Sequence, residues 1–125
     1  MQIGIFGLGK MGMQIAKRLH KNGFDVLAWN RSDSARHLFA NHGGKVFTTE
    51  KELVESMADS PRVFWIMLPS DVVNDFIFSE QGLHQYLREG DIVIDGGNSF
   101  YKDSVRRSGL MRASGIHYFD CWTSG

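Results

Sequence analysis

Three short clusters carry residue types from which chemistry could be built. Gly7-Leu8-Gly9-Lys10-Met11-Gly12 has the spacing G-x-G-x-x-G. Asn30-Arg31-Ser32 sets a guanidinium between two neutral polar side chains, and Asp95-Gly96-Gly97-Asn98-Ser99 joins paired glycines to an amide. In the first cluster, Gly7 permits a sharp turn, Gly9 lets backbone approach a pyrophosphate, and Gly12 lets a helix pack closely on a sheet. Free N–H groups at the start of that helix would receive the anion. With 14 glycines in 125 residues such a match arises easily by chance. Its meaning therefore depends on the elements around it.

The second cluster bears on which dinucleotide would bind. NAD sites place an acid roughly 20 residues beyond the glycine loop, where it accepts hydrogen bonds from the ribose hydroxyls. Here the neutral Asn30 stands in that position, followed by Arg31 and Ser32. An acid would repel a 2′-phosphate, whereas Arg31 can pair with one and Ser32 can donate to it. The pattern favours NADP over NAD. The same residues also read as the turn and N-cap of the next helix, with Arg31 solvated, and the two roles are compatible. Arg36, one turn further on, could assist with the phosphate, although a solvated helix face accounts for it better.

In the third cluster, two glycines permit close approach of a ligand, and Asn98 offers both a donor and an acceptor. A glycine turn that merely caps the following helix would use the same residues, so spacing alone leaves both readings open.

The elements that must position these clusters follow from hydrophobic periodicity. Residues 2–7 form an apolar run too short for a helix. Met11, Ile15 and Leu19 then recur four apart, which predicts a helix over 10–21 closed by Gly23 in the left-handed conformation. A strand over 24–29 and a helix through residue 40 come next. They are followed by a strand over 46–48 and a helix reaching residue 57, with Thr49 as N-cap and Glu52 at the capping-box position. Residues 63–68 are apolar on both alternating faces, as a strand covered by helices requires. Helices over 71–78 and 81–88, a strand over 91–95, a helix over 101–113 and a strand over 116–120 complete the chain. Alternation of strands and helices implies an α/β fold, a Rossmann-type doubly wound parallel sheet with helices on both faces and strand order 3-2-1-4-5-6. Residues 1–125 are expected to form one nucleotide-binding domain.

Composition narrows the partners. The 14 basic and 14 acidic residues cancel, so no global field recruits nucleic acid or an anionic membrane, and a bound anion must be held locally. Cys121 is the single cysteine, which fits a reducing, cytoplasmic setting. The apolar run near Val63 is far shorter than the ~20 residues of a membrane span, and the N-terminus lacks a signal-peptide pattern. The five histidines have no metal-ligand spacing, so no metal site is expected.

Read in order over the whole chain, the glycine loop, Asn30-Arg31-Ser32, and Gly90 to Ser99 followed by Tyr101-Lys102-Asp103-Ser104-Val105-Arg106-Arg107 resemble 6-phosphogluconate dehydrogenase. The D-G-G-N-S segment is far more specific than the glycine loop. Related β-hydroxyacid dehydrogenases usually lack its paired glycines and asparagine. The resemblance implies NADP-dependent oxidation of 6-phosphogluconate at C3 and decarboxylation to ribulose 5-phosphate, in a homo-oligomeric parent enzyme. It implies that Gly7, Leu8, Gly9, Lys10, Met11 and Gly12 form the cofactor loop, and that Asn30, Arg31 and Ser32 hold the 2′-phosphate. Met67 and Leu68 would line the cofactor groove. Asn98 would stand between nicotinamide and substrate, and Ser124 and Gly125 would begin a substrate-binding turn.

Two departures are visible. Met67-Leu68-Pro69-Ser70 replaces an M-L-V-K common among NADP enzymes of the family, which puts more of the phosphate affinity on Arg31. The family's catalytic lysine has no positional match in these residues, so the chain alone is expected to bind nucleotide without turnover. Other β-hydroxyacid dehydrogenases and a non-catalytic nucleotide sensor are the alternative functions.

Overall fold

The computed structural model describes residues 1–58, 60–97 and 101–121. Strand and helix alternate as the periodicity requires. The elements are β1 (Gln2–Phe6), α1 (Lys10–Lys21), β2 (Asp25–Trp29), α2 (Asp33–Asn41), β3 (Lys45–Phe47) and α3 (Glu50–Glu55). After them come β4 (Val63–Ile66), α4 (Ser70–Phe78), β5 (Ile92–Asp95), α5 (Tyr101–Ala113) and β6 (His117–Asp120). The strands lie in the order β3-β2-β1-β4-β5-β6, every neighbouring pair parallel. The chain winds outward from β1 through β3 and then crosses to begin again at β4. A crevice therefore opens between the carboxyl ends of β1 and β4, where α/β sheets of this kind bind ligands.

Side-chain alternation along the strands splits the core. Ile3 and Ile5 of β1 join Val26 and Ala28 of β2 against Met13 and Ala16 of α1 and Phe39 of α2. Phe6, Leu27, Phe64 and Ile66 point the other way, toward Leu53 of α3 and Val73 and Ile77 of α4. This is the period-two pattern of a sheet covered on both faces. Burying Phe6, Phe39 or Phe64 completely contributes about 1.5–3 kcal/mol each before entropy is counted.

The helix ends follow local chemistry. Gly23 and Gly43 follow α1 and α2 at φ of 90° and 89°, a conformation that costs glycine nothing. The Thr49 hydroxyl accepts from the Glu52 N–H at 3.2 Å and starts α3 as expected. Glu52 turns its carboxylate to the Thr49 hydroxyl, at 3.2 Å.

Two expected elements differ. Residues 81–88 form only a short 3-10 turn, Leu83–Tyr86. Gly82 lies so close to α4 that a Cβ there would stand 2.4 Å from the Ile77 carbonyl oxygen, and Leu87 is already extended. The segment is thus held by packing, with Leu83 buried, before a helix can propagate. The strand expected over 63–68 ends at Ile66, which leaves Met67 and Leu68 in the loop beyond it.

A buried ion pair braces the amino-terminal edge of the sheet. Arg62 donates to Asp91 through Nε at 2.9 Å and Nη2 at 2.7 Å. It also donates to the Val54 and Tyr86 carbonyls and lies over the Phe64 ring. Among the described residues, no helix is long and apolar enough to cross a membrane.

Candidate nucleotide site

The glycine loop is held by contacts that only glycine permits. Gly7 takes φ of 108°, and a Cβ there would stand 2.4 Å from the Met67 carbonyl oxygen. A Cβ on Gly12 would stand 2.1 Å from the Gly7 carbonyl oxygen, so α1 approaches the loop to a distance that no side chain allows. Gly9 is different. A Cβ there would meet nothing within 4 Å, so its backbone faces open space at the crevice.

The start of α1 is also electrostatically bare. Its N-cap, Gly9, makes no side-chain cap, and its first turn holds no acid. The other helices with described N-termini each carry an acid in the first turn: Asp33 in α2, Glu50 and Glu52 in α3, and Asp71 in α4. The first N–H groups of a helix have no intrahelical acceptor, and its N-terminus carries roughly half a positive charge. Only α1 leaves both unanswered among these four helices. The donors and the open backbone at Gly9 together fit a phosphate group.

Leu8 does not face this space. Its side chain is buried in the core, and its N–H donates to Asn30 Oδ1 at 2.8 Å. Gly9 and Lys10 are exposed, and Met11 is half-buried.

At the end of β2 the three polar residues separate into distinct roles. Asn30 brackets the two loops: Oδ1 accepts from Leu8, and Nδ2 donates to the Ser32 hydroxyl at 3.0 Å. Ser32 occupies the N-cap position of α2, yet its side chain makes no cap to the helix. The Arg36 side chain is not on a solvated face, as the sequence suggested, but only 12% exposed. Its guanidinium donates to the Asn30 and Arg31 carbonyls and pairs with Asp33. Three acceptors converge where the chain turns from β2 into α2, and they draw that arginine inward. Arg31 stands exposed in the same turn, and no side chain or carbonyl among the described residues holds its guanidinium.

A cavity of about 310 Å³ runs from Arg31 toward α4, with Glu50, Asp75, Phe76 and Ser79 on its walls. Phe76 is fixed there by ring contacts to Phe6 and Trp29, both at 5.3 Å between centroids. A larger cavity, about 570 Å³, lies elsewhere, lined by residues of α5 and β6. It is remote from the β1–β4 crevice in strand order, so its size does not make it the nucleotide site.

The carboxyl ends of β4 and β5 form the other half of the crevice. The Met67 N–H donates to Phe6 O at 2.7 Å and the Gly96 N–H to Ile66 O at 2.8 Å, extending the ladder into the loops. A Cβ on Gly96 would stand 2.3 Å from Trp65 Nε1, and one on Gly97 2.8 Å from Leu68 O. Met67 and Leu68 thus touch the glycine loop on one side and the paired glycines on the other. Asn98, Ser124 and Gly125 lie outside the described residues.

Beneath the paired glycines, Asp95 and Arg107, both within the motifs, meet each other and Tyr118, a meeting that motif reading did not foresee. Asp95, fully buried at the end of β5, faces Arg107 Nη1 at 3.3 Å and accepts from the Tyr118 hydroxyl at 3.0 Å. Its other oxygen accepts from the Gly97 N–H at 3.0 Å. Burial, reinforced by the adjacent Asp95 charge, pushes the Tyr118 phenol far above its ordinary value, so it stays a neutral donor. An arginine midway along a helix and a tyrosine in a strand carry no signal of this meeting in sequence.

Chemically, the arrangement offers an anion-receiving helix start, an unclaimed guanidinium to one side and a rigid glycine-lined wall to the other. No group of three His, Cys, Asp or Glu residues among the described residues could hold a metal ion.

Comparison with known proteins identifies the family. Residues 2–125 match the model of the NAD binding domain of 6-phosphogluconate dehydrogenase. The chain is 37% identical over 128 residues to the NADP(+)-dependent, decarboxylating 6-phosphogluconate dehydrogenase of Bacillus subtilis, covering 99% of this chain and 27% of that protein. It is 35% identical over 125 residues to the NAD(+)-dependent, decarboxylating enzyme of Haloferax volcanii, covering 100% of this chain and 40% of that protein. Plasmodium falciparum 6-phosphogluconate dehydrogenase superposes with a TM-score of 0.85 at 25% identity, over 94% of this chain and 26% of that one. The chain thus spans well under half the length of these relatives. By sequence, strand order and loop geometry, the chain belongs to the family of 6-phosphogluconate dehydrogenase NAD-binding domains.

Proposed function

We propose that residues 1–125 form a single domain that binds NADP in preference to NAD, and that it serves the oxidative decarboxylation of 6-phosphogluconate. The observation that carries the cofactor choice is the division of labour between two arginines. Arg36 is consumed by Asp33 and the turn carbonyls, while Arg31 remains exposed beside the Ser32 hydroxyl. A 2′-phosphate there would gain a charge-assisted pair from Arg31 and a hydrogen bond from Ser32. Asn30 acts through position, joining this turn to the glycine loop.

The pyrophosphate would rest on the start of α1, over Gly9, Lys10 and Met11, with Gly7 and Gly12 setting the loop and Leu8 anchoring it. The adenosine would lie along the groove toward Phe76. The nicotinamide would lie over Met67, Leu68 and the paired glycines, where it supplies the hydride acceptor. Roles for Asn98, Ser124 and Gly125 at the substrate rest on the family resemblance alone. So does the reading that these residues bind nucleotide without turnover.

One observation favours NAD instead. Glu50 and Asp75 share the groove with Arg31, and carboxylates there oppose a phosphate dianion. Relatives of both cofactor types match the chain, so its own residues must decide.

Calorimetric titration with NADP and with NAD, repeated on Arg31→Ala, tests the reading. We expect tighter NADP binding, weakened by about 1.5–3 kcal/mol without Arg31, as for a hydrogen bond to a charged group, and little change for NAD. Equal or tighter NAD binding by the unaltered chain would reverse the cofactor assignment.

A further inference from the structure

We infer that Asp95, Arg107 and Tyr118 form a positioning cluster that holds the Gly96–Gly97 turn in register for the nicotinamide end of the cofactor. The inference rests on the nucleotide-binding reading above and adds residues to it that touch no ligand themselves.

The argument begins with strand order. The glycine loop follows β1 and Arg31 follows β2, so the adenosine end lies on the β2 side of the crevice. A dinucleotide crossing the switch point then brings its far end over β4 and β5. The turn after β5 is Gly96–Gly97, and both residues lie against the loop after β4, Gly96 near Met67 and Gly97 near the Leu68 carbonyl. Their backbone packs closely on that loop, but without side chains they have no rotamer or hydrogen-bonding group of their own to fix the turn. Glycine is also the residue with the most conformational freedom to lose.

Asp95 supplies what they lack. One carboxylate oxygen receives the Gly97 N–H at 3.0 Å, while the other receives Tyr118 at 3.0 Å and faces Arg107 at 3.3 Å. Asp95 is 0% and Arg107 1% exposed. Three elements, β5, α5 and β6, thus converge on one carboxylate that also holds the turn. The buried carboxylate needs donors on both oxygens, and the turn amide is one of them, so holding Asp95 in place also holds the turn. The carboxylate is directed by the helix and strand beneath it, and it directs the backbone above.

The test compares a whole cofactor with one that lacks the nicotinamide end. Asp95→Asn, Tyr118→Phe and the unaltered chain are titrated with NADP and with 2′-phospho-ADP-ribose, and folding is checked by circular dichroism. Asp95→Asn is expected to weaken NADP at least tenfold while leaving the fragment within twofold. Tyr118→Phe, which removes one neutral hydrogen bond and keeps the ring, should weaken NADP by ~3- to 10-fold with the same selectivity. It decides the matter if Asp95→Asn does not fold. Folded variants that lose both ligands alike, or lose neither, would overturn the inference alone. Equal affinity of the unaltered chain for both ligands would also overturn it, because the nicotinamide would then gain nothing from the turn. Failure of the unaltered chain to bind either ligand would overturn the nucleotide-binding reading, and the inference with it.

Discussion

Two buried arginine–aspartate pairs brace opposite ends of β5, and they are built differently. At the amino end, Arg62 grips Asp91 with two short bonds, its remaining donors reach the Val54 and Tyr86 carbonyls, and the Arg88 N–H completes the carboxylate. At the carboxyl end, Arg107 Nη1 lies a longer 3.3 Å from Asp95, and the carboxylate also receives a phenol and a turn amide. The first pair is closed on itself and lies at the edge of the sheet away from the crevice. The second reaches a turn that faces it. The same chemical pair thus serves rigidity at one edge and backbone placement at the other, because ligands approach a parallel sheet only from its carboxyl ends.

The comparison is broken most severely by opening the closed pair. Arg62→Ala leaves Asp91 buried with most of its partners gone and should cost about 3–5 kcal/mol of stability, read from urea unfolding. The folded fraction should keep its nucleotide affinity. Replacing both partners with apolar residues, Arg62→Met with Asp91→Leu, should cost much less, since a removed pair leaves no stranded charge. A large loss of affinity in folded Arg62→Ala would erase the distinction between the two edges.

A smaller effect sharpens the carboxyl edge. Gly12→Ala places a methyl 2.1 Å from the Gly7 carbonyl oxygen, and backbone cannot yield as a flexible side chain would. Overpacking of this kind costs about 1–3 kcal/mol. Because the strain falls on the loop itself, nucleotide affinity should fall along with the melting temperature. Retained affinity in a destabilised variant would show that the loop tolerates displacement.

The smallest effect comes from a solvent-facing pair of the same charge type. Lys45 meets Asp25 at 2.9 Å, both partly exposed. The hydrogen bond from Lys45, with a further one from Gln2, holds the Asp25 carboxyl below its ordinary 3.8 against a modest opposing effect of burial. A depressed folded-state value means that the unfolded chain binds the proton more readily. The contribution is therefore present above pH 3.8 and lost as pH falls below it. Solvent screening keeps it under about 1 kcal/mol. Lys45→Ala should barely move the unfolding midpoint at neutral pH and should flatten the acid limb slightly. A loss comparable to that of Arg62→Ala would contradict the burial argument.

Much of this architecture was legible without coordinates, and for identifiable reasons. Met11, Ile15 and Leu19 mark one face of α1 at helical spacing, and the helix runs over the expected residues. Thr49 with Glu52 announced the start of α3 because a cap is made within four residues. Apolar runs on both strand faces required helices on both sides of a parallel sheet, from which the strand order followed. The 3-10 turn at Leu83–Tyr86 was not legible, since contact of Gly82 with the Ile77 carbonyl stops the helix. Nor was the role of Arg36, whose periodicity matches that of any exposed helical arginine.

By itself, then, the sequence determined what depends on near neighbours: the alternation of elements, the glycines at the tight turns, and the family motifs. Only the tertiary structure decided which polar groups meet. It spent Arg36 on the turn and left Arg31 free, turned Leu8 into the core, and joined Asp95 to Arg107 and Tyr118 beneath Gly97. The Arg36 contacts are only 3 to 6 residues long but depend on how the turn folds, whereas those of Leu8 and Asp95 join segments 12 to 23 residues apart. No local pattern encodes such distances, because they arise only once the sheet has brought its strand ends together.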